Sequence, residues 1–278
     1  MKHRFITFLT DFGLQDEFVG TCHGVIKAIA PDVQIIDITH GIDPQRVLQG
    51  ALVLANTVPY MPVGVHLAVV DPGVGSNRRL LALESASGRL FVGPDNGLLL
   101  LAAEREDGIV RAVGIENREY ALDSVSRTFH GRDVFAPAAA HLALGVDLGE
   151  LGPEVDVADL VRIRFPEPRV DGGGRIHAVV VDTDRFGNIQ LNLAREHMLQ
   201  AGIEPGTPVE VALGGEWYYA IAARTFADAR PGDIILYEDA YRNLALAISG
   251  GDAASMFVAA PGAAVTIAAR LANDRESS

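Results

Sequence analysis

The 278-residue chain has one cysteine, Cys22, and so no possible intrachain disulfide. That excludes a disulfide-stapled scaffold, and a cytoplasmic home is the simple expectation. Cys22 lies in the helical pattern "VGTCHGVIKAI", where it reads as a small buried hydrophobe rather than a nucleophile. Basic charge is scarce: 23 Lys and Arg face 36 Asp and Glu, for a net charge of -13. This argues against non-specific binding to nucleic acid or to an anionic membrane. No apolar stretch approaches the roughly 20 residues of a membrane span. The opening "MKHRFITFLTDFG" stops too soon for a signal peptide and reads as a first strand. The histidines lack zinc-like spacing, so no metal is expected; His23, His40, His66, His141, His177 and His197 are read as structural or exposed. Internal repeats are absent, and low complexity is confined to one glycine run.

What is present is enough apolar sequence for a sizeable core, 49% of residues. "RFITFLT", "VQIIDIT" and "GVHLAVV" are strand-like. Between them lie the helix-like "DEFVGTCHGVIKAIAP" and "DPQRVLQGALVLANTVPYMP", the second with Asp43 as N-cap and Pro44 at its first position. Asp16 is read as a cap for the first helix. Alternating strands and helices predict βαβ units and a mainly parallel sheet. Shorter strands "RLLALES", "GRLFVGPD" and "IVRAVGI" surround the helix-like "GLLLLAAER", and "VFAPAAAHLALG" is a last helix. "RFPEPRVDGGGR" is then the best linker. Beyond it, "IHAVVVD", "TPVEVALG", "EWYYAIAAR", "DIILYED", "LALAISG" and "AAVTIAAR" predict a small antiparallel barrel or sandwich. The expected division is an α/β domain at 1–165, a linker at 166–174 and an all-β domain at 175–272. The tail "NDRESS" is expected to fray.

In α/β sheets ligands bind at the carboxyl ends of strands. Three apolar runs end in acids: two in the α/β half, at Asp11 and Asp71, and one in the β-rich half, at Asp182 and Asp184. "TDFG" lacks the rest of the kinase set. "VDPGVGSNRR" has no Lys-Ser or Lys-Thr after its glycines and no helix behind it, so it is neither a Walker loop nor a dinucleotide fingerprint. It remains a tight bend that folds Arg78 back toward Asp71. "RTFHGRDVFAP" places His130 before a helix, in a loop suited to a site. "VVVDTDRFGN" has the Asp-x-Asp of haloacid-dehalogenase-type phosphohydrolases, but without an α/β unit or a later acidic pair for Mg²⁺.

Taken in order, "FLTDFGLQDEFVG", "DITHGIDP", "LAVVDPGVGSNRR", "GPDNGLL", "TFHGRDVFAP", "VDTDRFGN" and "TFAD" resemble the S-adenosyl-L-methionine (SAM) hydrolases, or SAM hydroxide adenosyltransferases. These are relatives of the fluorinase and chlorinase. The resemblance covers nearly the whole chain. It implies an N-terminal α/β domain and a C-terminal β-barrel. It also implies a homotrimer with SAM between one subunit's N-terminal domain and its neighbour's C-terminal domain. The implied reaction is attack of water or hydroxide on C5′ of SAM, giving adenosine and L-methionine, with SAM as substrate and no cofactor.

By that resemblance Asp71, Arg78 and His130 form a triad that holds the nucleophile. Asp11 holds the ribose hydroxyls, Asn188 and Phe226 lie against adenine, and Asp184 meets the amino-acid end. Fluorinases carry Tyr where Asp71 stands and a Tyr-Ser pair in place of His130-Gly131, so halide use is disfavoured. In "YEDAYRN", Ala240 and Tyr241 replace the residues that grip the methionine carboxylate in relatives, and Arg242 is the expected substitute. Two other readings stay open: a non-catalytic SAM or nucleoside sensor, and a metal-dependent phosphohydrolase using Asp182 and Asp184.

Overall fold

The computed structural model describes residues 2–164 and 166–270. The chain divides into two units between Ile163 and Arg164. Residues 271–272, expected in the second domain, and the "NDRESS" tail lie outside the described residues, as does Phe165.

The first unit runs β1 (Phe5–Thr10), α1 (Phe18–Ile29), β2 (Gln34–Thr39), α2 (Val47–Thr57), β3 (Val65–Val69), β4 (Leu80–Ser85), β5 (Leu90–Pro94), α3 (Leu100–Arg105), β6 (Ile109–Gly114) and α4 (Ala136–Leu144). The sheet order is β2-β1-β3-β5-β4-β6. Pairings β1–β2, β1–β3 and β3–β5 are parallel, and only β4 runs against its neighbours. Strand residues alternate between two cores. Ile6, Phe8, Leu67 and Val69 pack with Cys22 and Ile26 of α1 and the alanines of α4. Leu9, Ala68 and Val70 pack with Leu54 of α2 and Ala103 of α3. Helices thus cover both faces, which is why the central strands read as continuous apolar runs. Cys22 is fully buried, and burial pushes its thiol up to about 12, so it is an inert space-filler.

Two helix starts differ from expectation. α2 begins at Val47, with Arg46 rather than Asp43 at its N-cap. Gln45 adopts φ 67° and turns its backbone N–H onto Asp11, which takes residues 43–46 out of the helix. α1 begins at Phe18 behind Glu17 without a side-chain cap, so Asp16 caps nothing there.

The second unit runs β7 (Arg169–Val170), β8 (Ile176–Thr183), β9 (Ile189–Ala194), α5 (Arg195–Gln200), β10 (Pro208–Leu213), β11 (Glu216–Ala222), β12 (Ile234–Glu238), β13 (Asn243–Ile248), α6 (Ala253–Phe257) and β14 (Ala264–Ala269). Strand β7 lies within the segment read as linker and pairs with β8. The order β14-β10-β11-β12-β13-β9-β8 closes through β14–β8 into a seven-stranded barrel. All its pairings are antiparallel except β11–β12, which is parallel. Alternate residues such as Ile176, Ala178, Val180, Ile189, Leu191 and Leu193 fill its interior, as the two-residue strand period requires.

Candidate active site

The order β2-β1-β3 contains a topological switch. The chain leaves β1 to one side and β3 returns on the other, opening a crevice between their carboxyl ends. Thr10 is registered with Val69 across this pair, so Asp11 and Asp71 emerge side by side at the crevice. A cavity of about 390 Å³ occupies it. Asp11, Asp71 and His130 line it together with Phe12, Phe18 and Phe129, whose rings contact one another edge-on or tilted.

Arg78 does not line the cavity but stands directly behind Asp71. Its Nε donates to Asp71 Oδ1 at 2.8 Å and Oδ2 at 3.0 Å, and Nη2 donates to Oδ2. The two side chains are 9% and 6% exposed, so this is a buried pair and not a solvated surface bridge. Arg78 Nη2 also donates to His130 Nδ1 at 2.9 Å. Arginine has no acceptor, so this contact fixes the neutral His130 as the tautomer with its proton on Nε2. Burial lowers the His130 pKa below its usual 6.5 and Arg78 lowers it further, against opposing pulls from Asp71, Asp133 and a hydrogen bond with the Ser126 backbone. His130 is therefore neutral at pH 7. Arg78 Nη1 is buried and has no hydrogen-bond partner among the described residues.

Two loops make this meeting possible. In the 71–78 bend, Gly75 has φ +78°, and a Cβ there would lie 2.5 Å from the Arg127 carbonyl oxygen. Glycine thus permits both the turn and its close approach to the loop that carries His130. That second loop is pinned by Asp133. This fully buried carboxylate accepts from Arg132 Nε at 2.5 Å and from the Ser126 N–H at 2.8 Å. Burial alone would raise the Asp133 pKa, but those hydrogen bonds hold it below the usual carboxylate value. Residues 131–135 form a single π-helical turn leading into α4, a feature common at functional sites. A Cβ on Gly131 would press to 3.0 Å from Phe12 Cζ.

Several residues that build this crevice carry no sequence signal for a place in it. Asn96 of "GPDNGLL" donates to the Val70 carbonyl at 2.8 Å and so fixes the strand end just before Asp71. Gln45 donates its backbone N–H to Asp11 Oδ2 at 2.8 Å and so orients that carboxylate. The three phenylalanines were legible as apolar positions but not as cavity walls.

The other expected site residues lie in the second unit. Asp184 and Asn188 face each other across the β8–β9 turn. Asp184 Oδ2 accepts from Asn188 Nδ2 at 2.7 Å, and Asp184 Oδ1 accepts from the backbone of Phe186 and Asn188. Phe226 packs against Tyr237 with ring centroids 4.9 Å apart. Burial drives Tyr237 up to about 12, and the Asp184 and Asp239 carboxylates add to this, so Asp184, Phe226 and Asp239 share the Tyr237 neighbourhood. Arg242 closes the β12–β13 hairpin in the left-handed region, φ 67°. Asp239 Oδ1 accepts from the backbone N–H groups of Tyr241 and Asn243 in that turn. Among the described residues, Asp182 and Asp184 do not join a third ligand into a metal-sized cluster.

A doubly wound domain with acids at its switch point, continued by a small closed barrel, defines a small-molecule-binding α/β protein whose cleft is built from strand-end loops. Residues 6–152 match the SAM hydroxide adenosyltransferase N-terminal domain and residues 178–266 match the corresponding C-terminal domain, so the chain belongs to the SAM hydroxide adenosyltransferase family. It is 46% identical to a Salinispora tropica protein named (R)-S-adenosyl-L-methionine hydrolase, over 92% of this chain and 95% of the relative. It is 30% identical to an Actinoplanes fluorinase over 94% and 96% of the two chains. A crystal structure of an uncharacterized Thermotoga maritima protein superposes with a TM-score of 0.88 at 34% identity, covering 95% of this chain and 99% of that one. No helix among the described residues is long and apolar enough to cross a membrane.

Proposed function

We propose that the chain is an enzyme that hydrolyses SAM at C5′, giving adenosine and L-methionine. The observation that carries this is the hydrogen-bonded chain Asp71–Arg78–His130 at the switch-point cavity, with Arg78 Nη1 buried and without a partner among the described residues. The relatives named (R)-S-adenosyl-L-methionine hydrolase support the substrate, and both sulfonium epimers belong in the assay.

Deprotonating free water at pH 7 costs about 12 kcal/mol, taking its pKa as about 15.7. A single guanidinium does not offset that, so water loses its proton as it attacks. Arg78, held behind Asp71, supplies positive charge that stabilises the developing hydroxide. Asp71 anchors the guanidinium and offers its remaining lone pairs to orient the water. His130 Nδ1 takes the proton while its hydrogen bond from Arg78 gives way. The proximity of Arg78 disfavours an imidazolium, which makes this transfer late. The sulfonium leaves as a neutral thioether, so the charges of nucleophile and electrophile cancel in the transition state. An aromatic-walled cavity strengthens that attraction by excluding water.

In this reading Asp11 holds the ribose hydroxyls, as strand-end acids do in nucleotide folds. Phe226 and Asn188 receive adenine, while Asp184 and Arg242 receive the amino-acid end. The reaction needs no cofactor or metal. A homotrimer and a cytoplasmic setting complete the proposal. Light scattering on the purified chain tests the first, and product chromatography after incubation with SAM tests the reaction.

A further inference from the structure

On the α1 face of the sheet, among residues that do not line the Asp71 cavity, three side chains converge that sequence spacing gave no reason to group. His23 Nε2 lies 2.9 Å from Asp37 Oδ1, His40 Nε2 lies 3.2 Å from the same oxygen, and all the donor atoms fall within 4.8 Å of one another.

Backbone geometry explains the convergence. In a regular strand, residues three apart point to opposite faces. Asp37 is registered with Phe8, but Leu9 pairs with Thr39, so the chain slips by one residue in between. That slip returns His40 to the face of Asp37. His23 descends from α1 onto the same spot, and the Phe8 ring contacts both imidazoles, with centroids 5.9 and 4.9 Å away.

The inner histidine is set up as a ligand. It is 5% exposed, and its Nδ1 bonds Thr10 Oγ1 at 2.9 Å. Its Nε2 faces Asp37 without an aligned hydrogen bond to any described residue. When Nδ1–H is donated to Thr10, the Nε2 lone pair points at a carboxylate, an arrangement that a cation relieves. An outer partner that orients the ring is the usual companion of a metal-binding histidine. Metal–ligand bonds of about 2.0–2.1 Å in a tetrahedron give ligand–ligand edges of about 3.3 Å, close to both His–Asp distances. His23 and Asp37 are partly exposed, which leaves a fourth position open to solvent and gives an ion an entry path.

We propose that His23, Asp37 and His40 form a binding site for a divalent transition metal of the zinc class. Two imidazoles and one carboxylate suit such an ion better than Mg²⁺ or Ca²⁺, which favour all-oxygen shells. Its consequence reaches the cavity. The His40 carbonyl accepts from the Gly13 N–H at 2.8 Å, and Thr10 Oγ1 accepts from the Phe12 N–H at 3.1 Å. A metal that fixes His40 therefore braces the loop carrying Asp11 and Phe12.

The test is equilibrium dialysis of the chelator-stripped protein against Zn²⁺, with Co²⁺ absorption to report ligand geometry and melting curves with and without Zn²⁺. The proposal expects one saturable equivalent, a tetrahedral Co²⁺ spectrum and a Tm raised by several degrees. His23→Ala and Asp37→Asn, both at partly exposed positions, should weaken binding at least about tenfold. His177→Ala, which removes a separate His–Asp pair, should not. No saturable equivalent in the parent, or equal binding by parent and His23→Ala, overturns the proposal and leaves a hydrogen-bonded cluster.

Discussion

Arg78 donates through Nη2 to His130 Nδ1 at 2.9 Å while the same guanidinium is forked onto Asp71. One cation thus satisfies an anion and a neutral base at once, and its remaining nitrogen is buried without a partner among the described residues. Replacing the fork by a point charge tests whether that geometry matters. Arg78→Lys keeps the charge but cannot bond both partners in the same plane. We expect kcat to fall by about 10²–10³, the effect of removing one preorganised donor, with KM little changed. Equal losses in kcat and in SAM binding would make Arg78 a structural residue.

Asp71→Asn leaves the nearly buried Arg78 guanidinium without its counterion. Breaking a buried pair from one side costs about 3–5 kcal/mol. Urea denaturation should show a loss of that order, along with loss of turnover. A variant as stable as the parent would mean that solvent reaches the pair.

Acid should act through the buried and partly buried histidines. His130, His40 and His3 are lowered below 6.5, and His66 is lowered to about 3, in each case chiefly by burial. Between the folded and unfolded values the unfolded chain binds more protons, so stability rises with pH there. The contribution is complete above pH 6.5 and is lost as pH falls through the folded values. Turnover should fall over the same side, because a protonated His130 Nδ1 can neither accept from Arg78 nor take a proton. Denaturation midpoints and kcat measured from pH 8 to 4 check both. A rate that rises as pH falls through 6 would contradict the role given to His130.

Gly75→Ala should destabilise the chain and lower activity together. Its φ of +78° disfavours a side chain, and the new Cβ would meet the Arg127 carbonyl at 2.5 Å. Incompatible backbone sites cost more than about 1 kcal/mol. A normal melting temperature with full turnover would show that the two loops need not approach this closely.

Phe226→Ala tests substrate recognition in the second unit. Base–aromatic stacking contributes about 1–3 kcal/mol, so KM should rise roughly five- to 150-fold with a smaller change in kcat. A change confined to kcat would place Phe226 elsewhere in the reaction.

Much of this was legible in the amino-acid order because it follows from local rules. Apolar runs ending in Asp11 and Asp71 marked strand tips, and the bend at Pro72–Gly75 allowed Arg78 to return to Asp71. What stayed hidden depends on how strands and loops register. Gln45 leaves the expected helix start because its N–H is needed by Asp11. Strand β9 was not among the expected strands, although Ile189, Leu191 and Leu193 alternate as a strand requires. The grouping of His23 with Asp37 and His40 depends on a one-residue register slip, which no spacing rule reveals.

The most direct measurement of the central claim is product analysis after incubation with SAM in heavy-oxygen water. The account predicts L-methionine and adenosine in equal amounts, with solvent oxygen at the adenosine 5′ position, and loss of both products in Arg78→Lys. Methylthioadenosine as the product, or adenosine without the solvent label, would contradict it.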